Sequence, residues 1–491
     1  MYRSSNPQKP LFVDAGGLLP KEKQDRLKKT WAEPFRLKAL PILRSVEDEF
    51  ACLFHETEGR PNRPVELLLG VLILKDVYDL TDEETLNRLE FDAQWWWAFE
   101  REPHELHLCQ KTLYNFRDGV LENEKSKLAF RRVTDELLPA LGLSVARQRL
   151  DSTHIVSNMA DLTRLRIFCE TLRLFVHAVL TDGPKPCLPI PSGVLGRYAQ
   201  EGRDYGDARK GESRRRLPVA ARDVGRLIEI FEKDEAVTKL EAWRLLIRLR
   251  DEQCVVAVEK KEPGEDDDDR GEGGSGVEPK KPKDVKSSSM QTPHDPGATY
   301  SGHKGKGYEV QVAETVDNGD KPELITEVEV TPACVSDAKA TVPIVQAVVK
   351  AGHKPEELVA DTQYSGAENA ANLATQGVNL LAPCPAPAKP MDGVNYGEPA
   401  AKCPKDAGSA ALWLCQREAS KSFATQYAIR AGSEATNSEL KRGHGMGKLR
   451  VRGEKRVKLA VYFKALACNV KRALRYWLGL QTRGEVTPAI A

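Results

Sequence analysis

The period of the apolar positions changes along the chain, and each change marks a different kind of structure. Residues 1–60 offer one helix, near 47–55, and little else. Gly59-Arg60-Pro61-Asn62-Arg63-Pro64 is punctuation; after it Val65, Leu68, Leu69, Leu72 and Val77 recur at helical spacing. A turn at Asp79-Leu80 leads to Thr81 and Glu84, the spacing of a capping box, so a second helix is predicted to run to Leu89. A third segment opens at 111–118 and continues to about Leu138. Three short helices with tight connections fit a helix-turn-helix-like domain, or equally a plain helical bundle. Helical periodicity returns at 162–180, 224–231 and 237–249, interrupted by a basic, Gly-containing stretch at 203–216.

A low-complexity run at 260–283 follows, with Asp266-Asp267-Asp268-Asp269 and Gly-Glu-Gly-Gly-Ser-Gly; it reads as a disordered spacer rather than a metal site. Beyond it the period becomes two: Tyr308, Val310 and Val312, then a hairpin turn at Asp317-Asn318-Gly319-Asp320, then Leu324, Thr326, Val328 and Val330. Helix 338–351, strand 358–360, helix 366–376 and strand 378–381 complete a mixed α/β sheet pattern.

Composition narrows the class. The 491 residues suffice for several domains with a real core, and no stretch approaches the ~18 apolar residues of a membrane span. The opening residues lack the apolar core of a signal peptide, and ten scattered cysteines form no CxxC pair, which fits a reducing cytoplasm. A net charge of +1 argues against nucleic acid only as an average. Residues 421–478 hold 14 basic residues against three acids, a local +11. Arg442, Lys448, Arg450 and Arg452 sit in or beside a Gly-punctuated loop there, ahead of a basic helix at 457–478, an electrostatic footprint for phosphate backbone.

Three acids stand out by context. Asp151 closes an apolar segment, Asp361 ends a predicted strand, and Glu434 lies in predicted helix. Carboxylates converging at a sheet rim suit Mg²⁺, and two such ions can cleave a phosphodiester. On spacing alone surface or capping acids are the readier reading, because a chain with 72 acids offers many such triples. On a helical wheel Tyr427, Arg430, Glu434 and Lys441 fall at about 0°, 300°, 340° and 320°, one narrow face if the helix runs past Gly432.

That pattern, Tyr-x₂-Arg-x₃-Glu-x₆-Lys, resembles the signature of bacterial insertion-sequence transposases of the Asp-Asp-Glu (DDE) type. Asp151-Ser152-Thr153 and 359–365 resemble that group's two aspartate motifs, 330–337 its strand-to-helix junction, and 64–117 its N-terminal DNA-binding domain. The resemblance covers most of 60–478 and implies an α/β catalytic domain of RNase H-like type, with an all-α N-terminal domain. It implies two Mg²⁺ or Mn²⁺ ions held by Asp151, Asp361 and Glu434, with Tyr427, Arg430 and Lys441 on double-stranded DNA. A homodimer on paired ends and a bacterial, nucleoid-associated location are implied too. The expected organisation is an N-terminal segment (1–60), helical DNA-binding domain (61–144), first catalytic strand (145–159), helical insertion (160–255), disordered linker (256–293), remaining catalytic domain (294–480) and tail (481–491). The 210 residues between Asp151 and Asp361 exceed a minimal core because of that insertion. A DNA-binding protein without strand cutting and a metal-dependent nuclease without strand transfer remain alternatives. His104-Glu105-Leu106-His107 lacks zinc spacing, Trp95-Trp96-Trp97 fits core packing, and His154 fits a packed strand residue.

Overall fold

The computed structural model describes residues 1–4, 19–181, 188–199, 210–256, 276–386, 388–391 and 394–483. Its centre is a mixed sheet of five principal strands: β1 (Arg147–Ile155), β2 (Gly305–Thr315), β3 (Ile325–Pro332), β4 (Glu357–Val359) and β5 (Asn379–Leu381). The spatial order is β3-β2-β1-β4-β5, with a short strand, Thr299–Ser301, also on β2. β2 is antiparallel to both β1 and β3, whereas β4 and β5 run parallel to β1. Helix Asp337–Lys350 connects β3 to β4, and helix Ala367–Thr375 connects β4 to β5, as parallel pairs require. This mixed sheet with flanking helices is consistent with the expected RNase H-like type.

The register creates a notch. Arg149 on β1 pairs with Val359, where β4 ends, yet β1 continues to Ile155. Asp361 follows β4 into the open space, level with Asp151. Clefts beyond the carboxyl ends of parallel strands are where α/β sheets place ligands.

Helix Val65–Val77 forms as predicted, and so does the capping box: Glu84 N donates to Thr81 Oγ1 (3.2 Å) and Thr81 N to Glu84 Oε2 (2.7 Å). The third segment is two helices, Gln110–Glu122 and Lys125–Ala140, broken where Glu124 takes φ 54°. The helical block is no separate globule. The C-terminal helix Glu454–Arg483 lies against Val65–Val77, Lys125–Ala140 and β3, and one core joins Leu72, Phe130, Val310, Val328, Tyr462 and Trp477. Trp95 and Trp97 are buried, as expected, with Trp97 Nε1 donating to Glu33 Oε2 at 2.6 Å.

Three expectations need correction. Residues 19–60 form helix Lys21–Leu27, a continuous winding through Ala32–Pro34, the π segment Phe35–Ala39 and Leu40–Ser45, and a 3₁₀ run Glu47–Leu53. Together these bury Phe35, Leu40, Leu43 and Phe50; the π segment, with prolines at 34 and 41, shifts the apolar period. Part of the expected linker is ordered: Val277–Pro279 pairs with Cys254–Val256, and Ser289, Met290 and Thr292 are buried; the Asp run lies outside the described residues. Part of the basic stretch at 203–216 is helix, since Lys210–Phe231 starts within it. Helices Arg164–Thr181, Lys210–Phe231 and Glu241–Gln253 of the insertion share their own core around Phe175, Phe231 and Trp243. Among the described residues no helix is long and apolar enough to cross a membrane.

His444 fastens the basic loop to the helical block. Its ring is fully buried, and Nδ1–H donates to the Asp76 carbonyl at 2.9 Å. Burial lowers its pKa to about 4. The unfolded chain therefore takes up this proton first, and the stability present above about pH 6.5 is lost as pH falls toward about 4. Wild-type protein should lose about 3 kcal/mol more than His444→Gln across that interval in urea denaturation. Equal losses would exclude this role.

Candidate active site

The three acids meet around one guanidinium. Arg430 Nη2 lies 3.4 Å from Asp151 Oδ1 and 3.5 Å from Asp361 Oδ2, while Nη1 lies 3.4 Å from Glu434 Oε1. All three contacts exceed the ~2.7–2.9 Å of a strong charge-assisted bond, and Arg430 Nε is buried without a hydrogen-bond partner. The guanidinium is thus a shared, loosely held counter-charge. Exposure is graded: the side chains of Asp151, Asp361 and Glu434 are 11%, 27% and 75% accessible. Burial raises the Asp151 pKa, with Arg430 and the Ser152 backbone N–H opposing the shift. Asn437 Nδ2 donates to the second Asp151 oxygen at 3.1 Å, fixing its plane. Three hard carboxylates closing on one cation are a donor set suited to Mg²⁺ or Mn²⁺.

The winding that carries Glu434 departs from the single helix expected. It passes from helix Phe423–Tyr427 through a 3₁₀ turn, Ala428–Ala431, into helix Gly432–Ser438 and a π turn, Glu439–Gly443. A 3₁₀ turn rotates more per residue than an α-helix and a π turn less, so the four signature residues do not share one ideal face. Tyr427, Arg430 and Glu434 still cluster at the acids: burial raises the Tyr427 pKa, and Arg430, Asp361 and Asp151 all act on it. Lys441 is carried toward Glu309 and Lys304 instead.

Beneath this winding lies a buried ion network. Arg149 Nε pairs with Glu314 Oε1 at 2.7 Å, its Nη1 donates to the Ile429 carbonyl at 2.9 Å, and its Nη2 meets Glu323. Arg472 of the C-terminal helix reaches Glu314 Oε2 (3.1 Å), Thr436 Oγ1 (2.7 Å) and Glu439 Oε2 (2.9 Å). The two arginines therefore clamp the segment on both sides of Glu434. Gly432 sits directly on the Arg149 guanidinium, where any Cβ would collide.

Of the basic loop, Arg442, Lys448 and Arg452 are exposed and form no ion pair among the described residues. Arg450 differs: it pairs with Asp79 at 2.9 Å and donates to the Asp79 and Leu80 carbonyls, so it holds the loop in place rather than standing ready for phosphate. Glu439, His444 and Cys468 also bring ligand atoms within 4.8 Å of one another, but Arg472 already neutralises Glu439. Among the described residues His104 and His107 pair with Glu102 and Glu90 and belong to no ligand cluster, and His154 packs against Glu309 and the Lys306 carbonyl.

Glu314→Ala would remove the buried carboxylate that Arg149 and Arg472 share, leaving each with only its outer partner, Glu323 or Glu439. A loss of roughly 3–5 kcal/mol is expected in chemical denaturation. Gly432→Ala should destabilise in the same direction by displacing Arg149. Wild-type stability in either variant would contradict the clamp.

Two family models match the chain: "Transposase domain (DUF772)" at residues 35–119 and "Transposase DDE domain" at 400–474. The first covers much of the helical block, and the second spans Tyr427, Arg430, Glu434 and Lys441; neither reaches Asp151 or Asp361. A relative from Rhizobium meliloti, "Uncharacterized protein ORF8 in nfe locus", is 27% identical over 137 residues, 26% of this chain. The match spans 65% of that relative's own length. No solved structure matches. Matches to transposase domains in both the N-terminal and C-terminal parts of the fold support the recognition of this chain as an insertion-sequence transposase of the DDE type.

Proposed function

We propose that the chain cuts and joins DNA at the ends of an insertion sequence, using Asp151, Asp361 and Glu434 as one metal-holding triad in an RNase H-like domain. The observation that carries this reading is the convergence of all three carboxylates on Arg430 from three separate elements. Asp151, Asp361 and Glu434 would together hold the two Mg²⁺ or Mn²⁺ ions. Bound there, the ions would lower the pKa of a water and offset charge on the leaving oxygen. Water would open the phosphodiester at the element's end, releasing a 3′-hydroxyl. That hydroxyl would attack a target phosphate in line, expelling the target's 3′-oxygen with no covalent enzyme intermediate.

The chain's own residues orient this chemistry. Asn437 and the Ser152 N–H hold the Asp151 carboxylate in one plane. Arg430, weakly tied and close to all three acids, is placed to fork onto a phosphate. Lys441, Arg442, Lys448 and Arg452, with the neutral Tyr427 beside the acids, would contact the DNA. Within the helical block, Val65–Val77 is too deeply buried to read DNA. Helix Gln110–Glu122 instead exposes Gln110, Lys111, Tyr114 and Asn115, side chains suited to base edges and phosphates. Two ends brought together call for two copies of the chain.

Incubation with Mg²⁺ and a labelled duplex carrying the element's terminal inverted repeats tests the reading. Nicking at the repeat boundary should fall at least a hundredfold in Asp151→Ala, Asp361→Ala and Glu434→Ala, while DNA binding persists. Cleavage without joined product would reduce the protein to a nuclease. Tight binding without nicking in wild type would make it a DNA-binding protein only.

A further inference from the structure

A short hairpin brings a lysine to the acid site from the flank away from Asp361. Strand Thr299–Ser301 turns through Gly302-His303-Lys304 into β2, with Ser301 paired to Gly305. Gly305 at φ 94° and Gly307 at φ 143° allow the turn, and a Cβ on Gly307 would strike the Ile155 carbonyl. The hairpin therefore has one path, and it ends with Lys304 beside Ser152, the residue after Asp151. Asp361 flanks Asp151 from the β4 side; Lys304 arrives from the β2 side.

Lys304 Nζ pairs with Glu309 Oε1 at 2.6 Å and lies 3.4 Å from Ser152 Oγ, yet its side chain is 40% accessible. Glu309 is buried, and His154 Nδ1 lies 3.6 Å from its other oxygen. Lys441 shares the same carboxylate's field: Glu309 attracts its charge and Lys304 repels it. Lys441 has no ion pair of its own among the described residues. Asp337, the remaining acid on this flank, is engaged by Ser152 Oγ at 3.1 Å and Gln311 Nε2 at 2.9 Å. Lys304 also feels the Asp337 and Asp151 carboxylates, so this flank sets two lysines against acids that are themselves largely buried, and Lys441, without an ion pair among the described residues, stands at the rim of a phosphodiester site.

We propose that Lys304, together with Lys441, grips a DNA backbone phosphate on the β2 flank of Asp151, and that Glu309 is the counter-charge this phosphate displaces. The assignment rests on the transposase reading and adds a residue that the Tyr-Arg-Glu-Lys signature does not contain. Arg430 on one flank and Lys304 with Lys441 on the other bracket the strand, so that its scissile phosphodiester lies over Asp151.

Removing the lysine and removing its partner should act in opposite senses. Fluorescence anisotropy with the labelled terminal-repeat duplex, without divalent metal and across a salt series, reads both, and melting temperatures verify that each variant folds. Lys304→Gln should weaken binding and reduce the slope of log affinity against log salt by about 1, and Lys304→Arg should restore it. Glu309→Gln, which frees both lysines, should tighten binding. An unchanged slope in Lys304→Gln, or equal weakening in both variants, would overturn the assignment while leaving the transposase reading intact. Wild-type protein that does not bind the duplex would overturn both.

Discussion

The arrangement of the acid site depends on a buried carboxylate, Glu314, shared by two arginines. Ionised groups taken from water cost several kcal/mol each unless opposite charges and hydrogen bonds surround them. Arg149 comes from β1, Glu314 from β2 and Arg472 from the C-terminal helix, and the partners they complete, Ile429, Thr436 and Glu439, lie on the winding that carries Glu434. Satisfying the charges requires all four pieces at once. Glu434 is held over Asp151 as a consequence, even though its own side chain is mostly exposed. The irregular 3₁₀ and π turns are where the winding yields so that those contacts can form.

A second constraint is the unequal length of β1 and β4. Because β4 stops at Val359, Asp361 stands free beside Asp151, and the notch admits Arg430 from above. The C-terminal helix couples this notch to the helical block: Lys464 binds Asp76 at 3.0 Å and Asp79 at 3.3 Å, Arg450 binds Asp79, and Gly445 is small enough to lie on the Asp79 carboxylate. The helical block, with the exposed face of Gln110–Glu122, is thus joined to the central sheet through a continuous core rather than a tether.

Much of this was legible in the sequence because it is local. Period-two runs gave β2 and β3, the Thr81–Glu84 spacing gave a helix start, and the Tyr427-to-Lys441 spacing led to Glu434. What escaped was tertiary. Arg149, two residues before Asp151 and so on the same face of β1, carried a weak signal; Arg472, 33 residues beyond Glu439, carried none. Asn437 and Lys304 matter only through what folding puts next to them. The windings of residues 19–60 were missed because the π segment Phe35–Ala39, flanked by Pro34 and Pro41, shifts the apolar period, and the ordered part of the linker because its buried Met290 and Thr292 sit in a polar, Pro-rich context.

If Asp151, Asp361 and Glu434 hold divalent cations together, iron-mediated backbone cleavage will reveal it. Replacing Mg²⁺ with Fe²⁺ and generating hydroxyl radicals cuts the peptide backbone next to bound metal. Fragment mapping should show cleavage near residues 151, 361 and 434 together, suppressed by excess Mg²⁺ and lost in Asp151→Ala. Cleavage confined to other segments, or at one of the three without the others, would contradict the account.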